Sequence, residues 1–203
     1  MPVLVRPALP AGRLSQLTQP VLTAGALVIR PWRRSDVDAV VAAYADPEIQ
    51  QWHVRSMTPL EARDWIEHWP VRWARETGAG WAVEGAGAVV GQVGLREVDL
   101  AQACVEISYW VVPTARRQGV APAALDAVTE WAFAQAGMVR AELAHSTSNP
   151  ASCRVATKAG YLPEGTARRQ VLHADGWHDM HQHARLRMDA ARGTSTRPEG
   201  GLR

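Results

Sequence analysis

Two rhythms of apolar residues run along this chain. Stretches rich in β-branched and aromatic residues predict strands over Ala26–Arg30, Gly80–Glu84, Ala88–Val98, Cys104–Val112, Val139–His145, Pro163–Leu172 and Trp177–Arg187. Gly85-Ala86-Gly87 and Asp175-Gly176 read as hairpin turns between neighbouring strands. Elsewhere the apolar spacing is helical. Val37, Val40, Val41 and Tyr44 form one stripe, with Ser35 as the expected N-cap, Asp36 and Asp38 in the first turn, and Asp46-Pro47 as the stop. Thr58-Pro59-Leu60-Glu61 is a capping-box pattern opening a helix to about Thr77. Ala124, Leu125, Val128, Trp131 and Ala132 recur behind Pro122, with Gly137 as the closing residue. Asn149-Pro150 opens a fourth helix that Gly160 ends. Gln50 to Met57, with Trp52 and His53, reads as a loop.

The element order is strand, two helices, three strands, helix, strand, helix, two strands. It predicts an α/β (α+β) fold: a mixed sheet of about seven strands with four helices on its faces. Residues 1–22 are proline-punctuated and aperiodic and predict a loosely held arm. Residues 23–189 read as one domain, and the polar tail 190–203 as disordered.

The turn after Cys104–Val112 is the most informative stretch. Arg116-x-x-Gly119-x-Ala121 joins that strand to the helix behind Pro122. Gly119 permits a tight turn and close approach of another molecule, and Ala121 is nearly as small. Backbone N–H groups of Arg117, Gln118, Gly119, Val120 and Ala121 are thereby aimed outward at a helix N-terminus, a site suited to phosphate or pyrophosphate. A tight glycine turn preceding any helix is the alternative on these six residues alone. A nucleotide-triphosphate loop is disfavoured, since the closing lysine and Ser/Thr are absent.

Four pieces in order widen the picture: LVIRPWRRSDVDAVVAAYADPEI from Leu27, VEISYWVVP from Val105, the R-x-x-G-x-A turn, and NPASCRVATKAGY from Asn149. Together they resemble the RimJ/RimL-like branch of the GNAT acetyltransferase superfamily, over about Leu27 to Met188. The resemblance implies the GNAT fold, in which the key strand splays from the next and the acyl-pantetheine arm enters the gap. It implies that backbone groups of Trp110, Val111 and Val112 pair with that arm and stabilise the oxyanion, and that Asn149 bonds the arm. Asn149 is equally explained as a helix N-cap. The family's first helices and their loop shape the acceptor cleft, so Trp65, Trp69 and Trp73, four apart, are either core or an aromatic cleft wall.

The same resemblance nominates catalytic groups. Glu106 lies ten residues before Arg116, a spacing similar to that of the glutamate base in histone-acetylating relatives; the alternative is a structural strand glutamate. Many relatives place a tyrosine acid seven residues after the asparagine, but that position here is Ala156. Tyr161 lies too far along and reads as a core residue. Ser152 stands where RimJ/RimL-like members carry a serine, and could relay a proton to the departing thiolate. His145 is a weaker alternative base. His181, His183 and Asp179 share one strand face, but nothing else offers ligands at metal-site spacing, so no metal is expected.

Composition limits the rest. The formal net charge of +2 and the lack of a long Lys/Arg run give no case for nucleic acid. No apolar run has membrane-spanning length, so no membrane partner is expected. Cys104 and Cys153 make no disulfide framework and read as small buried residues in a reducing, cytoplasmic setting. Nine tryptophans are many for one small domain to bury, and relatives pair, so a homodimer is expected. The expected activity is direct transfer of an acetyl group from acetyl-CoA to a primary amine, on a protein N-terminus or a small molecule. The alternatives are a larger acyl-CoA, or an acyl-CoA sensor without turnover.

Overall fold

The structure, a computed structural model, describes residues 4–189. The elements in chain order are β1 (Leu22–Ala24), β2 (Leu27–Pro31), α1 (Val37–Ala45), α2 (Pro47–His53), α3 (Pro59–Ala74), β3 (Ala79–Gly85), β4 (Ala88–Asp99), β5 (Cys104–Val111), α4 (Val120–Trp131), β6 (Arg140–Ser146), α5 (Pro150–Lys158), β7 (Leu162–His173) and β8 (Gly176–Leu186). Eight strands form one sheet in the order β1-β2-β3-β4-β5-β6-β8-β7. Every pairing is antiparallel except β5–β6, which is parallel.

The expected mixed, mostly antiparallel sheet is present, with one more strand and one more helix than the sequence pattern predicts. The extra strand, β1, lies beside β2 in a tight hairpin. The extra helix, α2, occupies the region read as a loop. Asp46 does stop α1, but its carboxylate also accepts from the Ile49 N–H at 3.0 Å, and Pro47 takes a first-turn position. The residues that end one helix thus start another. At α1 the expected cap is displaced. A short 3₁₀ turn covers Arg34–Asp36, and Asp36 is buried in a bidentate pair with Arg30 at 2.8 and 2.9 Å. α3 opens with the expected capping box, in which Thr58 and Glu61 cap each other reciprocally. α4 begins at Val120, two residues before Pro122, and continues through a π turn to Gly137, which closes it at φ +84°.

Two apolar clusters sit on opposite faces of the sheet. The larger packs α4 through Leu125, Val128 and Trp131 against Trp81, Val93, Leu95 and Ile107. The smaller packs α1, α2 and α3, through Val40, Tyr44, Ile49 and Ile66, over Trp110. The α3 tryptophans divide between them. Trp73 joins the larger cluster against Trp131 and Trp81, while Trp65 packs with the smaller.

The segment before β1 is not a loose arm where it is described. Leu14 is fully buried in the larger cluster. The Glu76 carboxylate accepts from the N–H groups of Gly12, Leu14 and Ser15 at 2.7, 2.6 and 3.1 Å. The indoles of Trp73 and Trp81 donate to the Leu17 and Pro20 carbonyls. Aperiodic sequence misleads here because the segment is held by its main chain, which carries no sequence signal. The tail 190–203 lies outside the described residues.

Candidate active site

β5 and β6 pair over only three positions, Cys104 with Arg140, Val105 with Ala141 and Glu106 with Glu142. β5 continues to Val111 and β6 to Ser146. The strands therefore splay, and the opening forms part of a cleft of about 1570 Å³. Its lining includes the turn residues Arg117, Gly119 and Ala121 and the aromatic residues Trp65, Trp69 and His173.

Main-chain direction corrects the expected arm contacts. The Val112 N–H donates to the Val90 carbonyl at 3.0 Å, on the β4 side. By antiparallel alternation the main-chain groups of Trp110 face β4 as well. Of the three residues nominated, only Val111 turns its N–H to the gap, and Tyr109 joins it. Two gap-facing carbonyls already have side-chain donors. Arg116 Nε donates to the Val111 carbonyl at 3.1 Å and His53 Nε2 to that of Tyr109 at 3.2 Å. Burial holds the His53 imidazole down at about 4, so it is neutral in that contact. The Trp110 side chain lines the cleft while packing under α1–α3.

At the turn, Gly119 has φ +79° and Arg117 φ +62°. A Cβ built on Gly119 meets nothing within 4 Å, so space outside the turn is open to a ligand. The first α4 bond runs from Ala123 N–H to the Gly119 carbonyl at 3.1 Å. The N–H groups of Val120 and Ala121 precede it and have no partner within the helix. Gln118 folds its amide back onto the Thr114 carbonyl at 2.8 Å. The two adjacent arginines divide their roles. Arg116 is half-buried and ion-paired to Asp46, at 2.7 Å, and to Glu48, which ties the turn to α2. Arg117 is exposed, with no ion pair among the described residues.

Asn149 caps α5, its Oδ1 accepting from the Ser152 N–H at 3.0 Å, and is buried. Asn149 and Ser152 both line the cleft. The Tyr109 hydroxyl donates to the Ser152 carbonyl at 3.5 Å, and burial pushes that phenol up to about 12. Tyr109 thus brings a protonated phenol beside Ser152, although no tyrosine occupies the position where relatives carry one.

Glu106 lies on the face of β5 that also carries Ser108 and Trp110. Those two line the cleft; Glu106 is not in the lining and stands beside the lining residue Arg96 at 3.6 Å, opposite Glu97 and Glu142. Burial raises its carboxyl above the ordinary value; Arg96 opposes the shift, and Glu97 and Glu142 add to it. His145 turns both ring nitrogens inward, Nδ1 donating to the Ser146 carbonyl at 2.8 Å and Nε2 standing 3.2 Å from His183 Nε2. It therefore presents no free nitrogen to an amine in the cleft.

Sequence reading misses a second acid–base chain. Ser146, buried at the end of β6 and lining the cleft, stands 2.7 Å from His178 Nδ1. His178 Nε2 stands 2.9 Å from Asp175. The tautomer that donates to Asp175 leaves Nδ1 to accept from the Ser146 hydroxyl. Asp175 and His178 are three residues apart at the β7–β8 hairpin, but only the fold brings Ser146 to them, and no local spacing signals that contact. Neither cysteine offers a nucleophile to the cleft. Cys104 lies at the closed end of the strand pair, its thiol pushed up to about 11 by burial, and Cys153 faces the histidines of β6 and β8.

Another part of the cleft wall is aromatic and basic. Trp65 packs edge-on against Trp32 and Trp69, with centroids 5.2 and 5.3 Å away, and Tyr44 packs on Trp110 at 6.0 Å. Arg72 lies over the Trp69 ring at 5.4 Å, and Arg55 and Arg96 join it in the lining. Gly80 leaves room for this wall: a Cβ there would come within 2.4 Å of the Trp69 ring.

Known proteins share this architecture. Among curated sequences the chain is similar to the N-acetyltransferase YoaA of Bacillus subtilis (strain 168), 25% identical over 161 residues, 77% of this chain and 90% of that protein. Among solved structures it resembles RimL, a ribosomal L7/L12 α-N-protein acetyltransferase in complex with coenzyme A, with a TM-score of 0.77 at 17% identity over 82% of this chain and 98% of that one. It also resembles RimJ of Mycobacterium smegmatis in complex with a CoA-disulfide, with a TM-score of 0.73 at 23% identity over 83% and 86%. The family model for the acetyltransferase (GNAT) domain matches residues 26–162. By that match, and with the splayed strands and outward-facing turn in place, the chain belongs to the GNAT acetyltransferase family and is an acyl-CoA-dependent acyltransferase.

Proposed function

We propose that this protein transfers an acetyl group from acetyl-CoA directly to a primary amine, on a protein N-terminus or a small molecule, within a ternary complex. One observation carries the reading: a single cleft takes in the splayed β5–β6 strands, the Gly119 turn and a wall of aromatic and basic side chains. RimL's description as an α-N-protein acetyltransferase supports a protein N-terminus as acceptor. The absence of a cysteine thiol from the cleft lining supports direct transfer over a covalent relay.

In this reading Val120, Ala121 and Gly119 offer N–H groups to the coenzyme's phosphates, and Arg117 adds charge. Asn149 and the gap-facing N–H of Tyr109 hold the pantetheine arm. The amine nitrogen attacks the thioester carbonyl, and the Val111 N–H donates to the developing oxyanion. Glu106, behind the lining beside Arg96, takes the amine proton by way of water. The C–S bond breaks, and the sulfur leaves as a thiol with a proton delivered through the Ser152 hydroxyl, which solvent reprotonates.

The hydrogen-bonded chain favours a second reading of the base. Ser146 passes its hydroxyl proton to His178 and accepts one from the amine, while Asp175 stabilises the imidazolium. An acyl-donor and amine-acceptor panel, read by thiol release and by mass spectrometry of the products, tests the proposal. Coenzyme binding without thiol release from any acetyl or longer acyl donor would overturn it in favour of a sensor.

A further inference from the structure

Behind the first turn of α5, four side chains from three elements converge on one point. His145 of β6, His181 and His183 of β8, and Cys153 of α5 hold their potential ligand atoms within 4.8 Å of one another. His145 and His183 are buried, and His181 and Cys153 half-buried. We propose that this cluster is a closed tetrahedral zinc site with those four ligands.

The geometry is already close to that of an occupied site. Ligand nitrogens about 2.0–2.1 Å from a tetrahedral zinc stand roughly 3.3–3.4 Å from one another, and a sulfur at about 2.3 Å stands roughly 3.5–3.6 Å from each nitrogen. His145 Nε2 and His183 Nε2 are 3.2 Å apart. The remaining ligand atoms need to contract by about 1 Å or less to meet the same ion. His181 and His183 share one face of β8, and the antiparallel register sets His181 opposite His145. Their rings stand 5.4 and 5.1 Å from that of His145.

The hydrogen bonding around the cluster also fits an ion. His145 donates its Nδ1 proton to the Ser146 carbonyl, which fixes the tautomer whose Nε2 lone pair faces the cluster. Ligating histidines are commonly oriented by such an outer contact. Without metal, that tautomer requires the proton between the two rings to sit on His183. The Nδ1 of His183 is then a bare acceptor, buried with no partner among the described residues. A metal between the two Nε2 atoms takes that proton's place.

Three imidazoles and a thiol suit zinc, whereas magnesium and calcium need oxygen donors. Asp179, which strand alternation adds to the histidines, is occupied elsewhere: its Oδ1 accepts from the Arg169 N–H at 2.7 Å. The sequence hides the site because its other two ligands lie on β6 and α5. Binding releases the Cys153 proton to solvent and leaves a zinc-bound thiolate. It also ties α5 to β6 and β8 immediately beside Ser152 and the Asn149 cap. The ion is structural, and the acetyl-transfer chemistry does not pass through it.

The test uses tag-free full-length protein, stripped with chelator and titrated with zinc or cobalt(II). Expected are about one equivalent of zinc bound, a rise in thermal midpoint with zinc and none with magnesium, and, with cobalt(II), tetrahedral d–d bands plus a thiolate charge-transfer band. Cys153→Ser should abolish the charge-transfer band, and Cys153→Ser and His181→Gln should each weaken zinc binding by at least about 10–100-fold. Both positions are half-buried, so folding of each variant is checked by circular dichroism. Failure of the wild type to bind zinc stoichiometrically would overturn the site, as would a folded Cys153→Ser protein with unchanged affinity and spectrum.

Discussion

The two ends of the cleft are built in different ways. The donor end is one contiguous stretch, Val111 to Ala121, whose chemistry lies in main-chain N–H groups set by a glycine at φ +79° and a helix start. The proposed acceptor side is assembled from side chains on α2, α3, β4, β6, β7 and β8, brought together by register and packing. A phosphate-binding turn must keep its backbone shape, which fixes residue types at short spacing. An aromatic and basic cleft needs only suitable surfaces, which many sequences can supply.

The sharpest way to break this contrast is at the donor turn. Gly119→Glu is expected to abolish coenzyme A binding by calorimetry, with the protein still folded. Its side chain has room, but its charge opposes the phosphates and blocks their approach. Gly119→Ala is the control for backbone strain, of about 1–2 kcal/mol at a positive φ. Wild-type affinity in a folded Gly119→Glu protein would remove the turn from the donor site.

Next in size is the base, proposed at Glu106. On a lysine-like amine, Glu106→Gln should lower kcat by about 10²–10⁴-fold with coenzyme affinity intact. On an α-amine, already about a third neutral at pH 7.5, the loss should be only a few-fold. The loss should also shrink as pH rises and the amine deprotonates in solution. Wild-type turnover by Glu106→Gln on a lysine-like acceptor, with a large loss in His178→Asn, would move the role to the Ser146–His178–Asp175 chain.

A smaller effect is expected at the acceptor wall. Trp65→Ala removes aromatic contacts worth about 0.5–1.5 kcal/mol, so KM for the amine should rise roughly 2- to 10-fold. Coenzyme affinity should not change. Equal losses for amine and coenzyme would mean that the two ends are not separable.

What sequence made visible follows the same division. The seven expected strands, the capping box at Thr58, the glycine turn and the Asn149 cap are local patterns, and each stands where expected. The choice among Trp110, Val111 and Val112 was not accessible, because it depends on which neighbour each N–H faces, and that is settled by pairing with β4. Helix α2 was hidden because Asp46-Pro47 signals both a stop and a start. The Arg116 contact to α2, the Ser146–His178 contact and the histidine–cysteine cluster join residues far apart in sequence, where no period operates.

The smallest expected effect asks whether Glu106 is a structural residue or a functional one held at some cost to stability. Burial, against the opposing pull of Arg96, raises its carboxyl above the ordinary value of 4.5. A carboxyl whose pKa is raised by folding binds more protons in the native state than in the unfolded one between those two values. Its contribution is therefore full below the unfolded value and is lost as pH rises through the folded one. Glutamine cannot ionise, so Glu106→Gln should escape that loss. Urea unfolding at pH 4 and pH 8 should show the variant gaining on wild type as pH rises, by an amount within about 1 kcal/mol. A structural glutamate stabilised by its Arg96 contact predicts the opposite slope, with the variant losing ground at pH 8. A flat difference would mean that its burial carries no electrostatic cost, and would leave the kinetic loss as the sole signature of the residue.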